Sequence, residues 1–146
     1  MHSALALDPG SKRIGVAACD PLGISVKPLP FIPAEPGDAA LAAIAKLVAE
    51  REARTIVIGL PINMDGTEGP AAKAAREFAE RLRAFLAPRT SPLVPELVLW
   101  DESLTTDEAE KKLLERGLSH RERKQVIDSL AAAILLKSWL DSRQGT

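Results

Sequence analysis

The run Thr55-Ile56-Val57-Ile58-Gly59-Leu60 is too apolar for a strand with one wet face. It suits a central strand covered on both sides, so helices must lie above and below the sheet that contains it. With 146 residues, 46% of them hydrophobic, the chain has enough material for one such layered domain spanning 1–146.

The flanking segments supply the layers. Ser3 to Asp8 and Arg13 to Cys19 read as strands joined by the turn Pro9-Gly10-Ser11-Lys12. A third strand, Ile24 to Ile32, carries Pro28 and Pro30, which cannot donate to a ladder and therefore place it at an edge. Helical spacing follows over Asp38 to Ala53, and again over Pro70 to Leu86 with Ala74, Phe78, Leu82 and Phe85 on one stripe. Leu97 to Trp100 is expected to be a further buried strand. Thr105 with Glu108, and Ser119 with Glu122, form capping-box patterns that start two last helices. The first ends near Gly117 and the second runs to about Arg143. The expected fold is α/β: a three-strand antiparallel meander, then βαβ units, on a mixed five-stranded sheet flanked by helices.

Three acids stand out within this plan. Asp8 ends the first strand, directly before Pro9-Gly10; Glu102 ends the last strand; Asp128 precedes the apolar run Ser129 to Leu136. If the first and last central strands are neighbours, Asp8 and Glu102 emerge side by side. An unpaired carboxylate on a helix that must pack against the sheet, as expected for Asp128, costs several kcal/mol or takes up a proton. A bound cation removes that penalty. Clustered carboxylates are oxygen ligands suited to Mg²⁺ or Mn²⁺, and one or two such ions support phosphodiester hydrolysis. Taken singly, each acid has a plainer reading. Asp8 is a turn former, Glu102 a loop acid beside Asp101, and Asp128 an ion-pair partner of Lys124 or Arg121.

Composition removes several classes. A net charge of −1 argues against a basic protein that coats DNA without selectivity. Aromatic residues are 3% of the chain and Tyr is missing, which disfavours a base-stacking platform. The lone Cys19 excludes an internal disulfide or a cysteine zinc cage and is expected to be a buried, inert thiol. No apolar stretch reaches the roughly 20 residues that span a bilayer. Met1-His2-Ser3 lacks the charged start of a signal peptide, so a cytoplasmic protein without a membrane partner is expected.

Four blocks carry a resemblance. Asp8 to Ala17 (DPGSKRIGVA) resembles the opening motif of the YqgF/RuvX family, within the RNase H-like superfamily. Ile58 to Thr67 (IGLPINMDGT), Asp101 to Thr106 (DESLTT) and Ile127 to Ala132 (IDSLAA) resemble its second, third and fourth motifs, in the family's order. Many members carry Arg where this chain has Ser103, a departure that bears on a phosphate contact and not on the metal site. The resemblance implies an RNase H-like fold with Asp8, Glu102 and Asp128 as metal-binding catalytic acids. Counting along the last strand leaves both Asp101 and Glu102 open as the acid that faces the metal, with Glu102 preferred. Members are described as nucleases that mature the 5′ end of the 16S ribosomal RNA precursor, and as Holliday-junction resolvases. The implied partner is thus an RNA precursor or branched DNA.

Basic and polar residues near these acids are candidates for holding that partner. Lys12 and Arg13 sit in the turn beside Asp8, and Asn63 with Gly66 lies in the loop after the central strand. Arg121 and Lys124 belong to the densest basic run, which leads into the Asp128 segment. Lys73, Arg76, Arg81 and Arg83 are more simply a solvated helix face. Symmetric cutting of a junction requires a homodimer, whereas RNA trimming does not. Two rival classes are a non-catalytic nucleic-acid binder on the same fold and an ATP-dependent phosphotransferase. The latter closes two domains around its nucleotide, and this chain supplies one.

Overall fold

The computed structural model describes residues 3–102 and 118–144. Ser103 and the helix expected between Thr105 and Gly117 lie outside the described residues. Five strands form one sheet: β1 (Ser3–Pro9), β2 (Arg13–Cys19), β3 (Val26–Pro33), β4 (Ala53–Leu60) and β5 (Glu96–Asp101). Their spatial order is β3-β2-β1-β4-β5. The first three strands pair antiparallel, while β4 runs parallel to both β1 and β5. The meander, the mixed sheet and the edge position of proline-bearing β3 are all as the sequence implies. The condition that would set β5 beside β1 is not met, and one expectation about β5 fails. It is separated from β1 by β4, and it occupies the second edge, so Leu97 to Trp100 is half-buried rather than buried.

The alternation Ala4-Leu5-Ala6-Leu7 sorts the two faces. Leu5, Leu7, Val16, Ile56 and Ile58 pack with Ile44 and Val48 of α1 (Gly37–Arg51) and with Phe78 and Leu82 of α2 (Pro70–Thr90). On the opposite face, Ala4, Ala6, Ala17 and Cys19 meet Ala132, Ala133, Leu135 and Leu136 of the last helix. Methyl groups on both sides of that contact let the helix lie close to the sheet. Among the described residues no helix is long and apolar enough to cross a membrane.

The C-terminal helix is not continuous, as expected from the sequence, but broken in two. Ser119 caps α3 (His120–Val126) with Glu122 completing the capping box. A 3-10 turn over Ile127–Ser129 then precedes α4 (Leu130–Gln144). The cause is a backbone irregularity on β2. Its register against β3 slips between Ile14 and Val16, and the Val16 N–H donates instead to Ser129 Oγ at 2.9 Å. Ser129 is fully buried. Removing its hydroxyl in Ser129→Ala leaves the Val16 N–H buried without an acceptor. The expected cost is about 1–3 kcal/mol, read as a lower denaturant midpoint with an unchanged slope.

Candidate active site

Asp8 pairs with Gly15 across the β1–β2 ladder, and Gly59 pairs with Trp100 across β4–β5. Asp8 follows Ala4 and Ala6 onto the α4 face, as Gly15 follows Ala17 and Gly59 follows Val57. Glu102 lies on the same side, because a Cβ added to Gly59 would meet both Glu102 Oε2, at 2.6 Å, and the Leu135 side chain of α4. Glu102, not Asp101, is therefore the acid that turns toward Asp8. The two carboxyl groups hydrogen-bond to each other across β4. They can do so only because the intervening strand has no side chain at position 59.

The electrostatics follow from that contact. Burial pushes the Asp8 carboxyl up, while its hydrogen bond with Glu102 opposes the rise. Glu102 is pushed up to about 7, first by burial, then by the charge and hydrogen bond of Asp8, and last by the charge of Asp101. Near neutral pH the pair thus shares a proton, with Glu102 donating to the Asp8 carboxylate. Two half-buried carboxyls in this state form a hard oxygen donor set, and a divalent cation there would replace the shared proton and cancel the repulsion. The donor chemistry fits Mg²⁺ or Mn²⁺.

Asp128 differs from its expectation. The 3-10 turn sends Ser129 inward and leaves Asp128 exposed, with its Oδ2 3.8 Å from Arg13 Nε. Its carboxylate is therefore not buried against the sheet. Its backbone is nonetheless fixed at the site, since its carbonyl oxygen occupies the space that a Cβ on Gly15 would need. Among the described residues, no group of three His, Cys, Asp or Glu side chains is close enough together to hold a metal ion. The structure brings Asp8 and Glu102 together and sets the Asp128 side chain against Arg13 instead.

The basic candidates are spread more widely. Arg13 stacks over the Phe31 ring at 5.2 Å while reaching Asp128. Lys12 is exposed in the turn, and its carbonyl accepts from the Ala34 N–H at 2.9 Å. Asn63 braces its own loop: its amide donates to Thr67 Oγ1 at 3.1 Å and its N–H to the Thr67 carbonyl at 2.8 Å. Arg121 and Lys124 are exposed on α3. Sequence reasoning passed over Gly15, Gly59 and Ser129. The two glycines did carry a signal, since a glycine inside a strand marks a close approach of another group.

Residues 2–142 match the family model of RuvX, described as Holliday junction resolvase. The chain belongs to the RuvX family. It is 41% identical over 140 residues to a protein of Myxococcus xanthus named "Putative pre-16S rRNA nuclease", covering 96% of this chain and 88% of that one. A protein of the same name from Anaeromyxobacter sp. (strain Fw109-5) is 44% identical over 140 residues, covering 95% and 96%. Among solved structures, the fold is similar to RuvC of T. thermophilus in complex with a Holliday junction substrate. That match has a TM-score of 0.60 at 15% identity and covers 100% of this chain and 98% of that one. Fowlpox virus resolvase with junction DNA gives 0.54 at 7% identity, covering 97% and 98%. These likenesses bear out the RNase H-like fold and the family resemblance of the four sequence blocks.

Two outcomes test the geometry of the acid pair. Gly59→Ala pushes the flexible end of Glu102 away from Asp8, so the fold should lose less than about 1 kcal/mol by denaturant unfolding while the Glu102 pKa, followed by NMR titration, falls toward its ordinary value. The raised Glu102 pKa means the folded chain keeps a proton that the unfolded chain releases between the ordinary value of 4.5 and about 7. Without divalent cations, stability should fall as pH rises through that window. Glu102→Gln should melt above wild type at pH 8 and level with it at pH 4.

Proposed function

We propose that this chain is a Mg²⁺- or Mn²⁺-dependent endonuclease that hydrolyses nucleic-acid phosphodiester bonds in the 5′-end maturation of the 16S ribosomal RNA precursor. The observation that carries the reading is the Asp8–Glu102 pair, held at the open end of the sheet and sharing a proton across Gly59. Such a pair is electrostatically unfavourable when fully ionised and gains from a hard cation. The ribosomal substrate is taken from the name carried by relatives 41–44% identical to it. A cytoplasmic setting goes with that substrate.

Within this reading Asp8 and Glu102 would give up their shared proton and, with Asp128 as the third acid, would hold the cation. The bound cation supplies Lewis-acid activation of water and stabilises the leaving oxygen. Asp128 would hold the cation in place of its partner Arg13, which would leave the Arg13 guanidinium for a phosphate next to the scissile bond. The exposed pair is weak enough for this exchange, being worth about 0–1 kcal/mol. Lys12 sits beside Arg13 for a second phosphate, and Arg121 and Lys124 extend the basic path along α3. Asn63 shapes the loop that flanks the acids.

The description of the family as Holliday junction resolvase favours a second reading, cleavage of branched DNA by a homodimer. Incubation with Mn²⁺ or Mg²⁺, a labelled 16S precursor fragment and a labelled four-way junction separates the two. Wild type should cut the RNA at a defined 5′ position. Asp8→Asn and Asp128→Asn should each lose more than the roughly 10–100-fold typical of removing a partner outside the ligand set. Cleavage of the junction alone would favour the second reading. Failure to cut either substrate, or full activity in Asp8→Asn, would overturn the hydrolytic mechanism.

A further inference from the structure

Glu102 stands where the two faces of the sheet meet. Its carboxyl rests against Gly59 on the α4 side, yet the same residue lines a cavity of about 500 Å³ on the side of α1 and α2. Ile14, Leu41, Pro61, Ala74 and Phe78 make its walls apolar, and the turn residues Pro9 and Gly10 that follow Asp8 form part of its rim. The volume lies within the range of about 300–1,000 Å³ that small-molecule sites occupy. Charged groups are few. Glu35 can accept from N–H groups, and Arg81 can meet an anion. Arg81 also differs from its neighbours on α2. Arg76 is paired with Glu68 and Arg83 with Glu80, whereas Arg81 makes no ion pair among the described residues. Its guanidinium lies beside Gly37 of α1, in ordinary contact distance.

We propose that this cavity is a nucleobase subsite. It takes the unstacked base of a nucleotide adjacent to the phosphate held at Asp8 and Glu102, with Arg81 against the backbone of the same strand. The inference rests on the hydrolytic reading for the position of that phosphate and adds to it the state of the substrate. A base locked in a duplex cannot enter, so the strand is unpaired at the cut. Single-stranded targets are commonly recognised by splaying bases out onto apolar or aromatic surfaces. A walled slot performs that task in a chain with little aromatic surface, and Phe78 with the exposed Ala74 forms one side of it.

The test is equilibrium binding, without divalent cations, of fluorescently labelled single strands in which one nucleotide at a time is made abasic. Anisotropy should show wild type losing at least about fivefold in affinity at one position and little at the others. In Ala74→Trp the indole fills the cavity and the ratio between intact and abasic strands should fall to about one. Arg81→Ala, on an exposed side chain, should weaken all strands alike and lower the salt slope by about one. The proposal is overturned if no position is sensitive in wild type. It is equally overturned if Ala74→Trp melts like wild type and keeps the discrimination. Should Ala74→Trp not fold, the abasic scan of wild type and the salt slope of Arg81→Ala decide the matter. Discrimination without cleavage in Mn²⁺ would remove the hydrolytic reading and leave the subsite standing.

Discussion

The close approach of α4 to the sheet is the constraint on which the rest depends. Alanines on both surfaces permit it along most of the contact, and glycines permit it where backbone or carboxyl must intrude. At Gly15 the Asp128 carbonyl fills the space of a side chain. At Gly59 the Glu102 carboxyl does the same. Between these points Ser129 takes up the N–H that the irregular β2 register leaves over. Buried polar groups must find partners, and here the search for partners breaks a helix in two and fixes the position of Asp128.

Several elements were legible from sequence for reasons the structure makes plain. The β-branched run 55–58 required two covering layers, and it has them. Pro28 and Pro30 required an edge, and β3 is one. The Ser119 and Glu122 capping box is formed as its spacing implies. What remained hidden was long-range. The neighbour of β1 could not be read from local pattern, because strand order is a property of the crossovers. The break at Ile127 could not be read either, since its cause lies on β2, more than a hundred residues away. Asp128 looked buried because the residues after it are; a single 3-10 turn reverses the direction of one side chain.

The candidate site acids follow the same division. The carboxyls at Asp8 and Glu102 stood out because an acid at a strand end is poorly placed for stability alone. That they touch depends on Gly59, whose lack of a side chain looked like a minor flaw in an otherwise β-branched strand. The lone thiol of Cys19 proved buried, as expected of a small hydrophobe among alanines. The scarcity of aromatic residues argued against an open stacking surface. It does not argue against an enclosed apolar slot, which needs only one ring and several methyl groups.

Because β4 separates β1 from β5, the sheet itself acts as a ruler for the acids. Two interstrand spacings of about 4.8 Å put the two backbones nearly 10 Å apart. Neither carboxyl could cross that gap alone. A short aspartate from one side and a longer glutamate from the other divide the distance unequally, and the meeting point is displaced toward β1, β2 and the turn that bears Lys12 and Arg13. An exchange of the two residue types would preserve charge yet move the point where the carboxyls meet toward the opposite edge. The identity of each acid thus sets where along the sheet edge the pair meets.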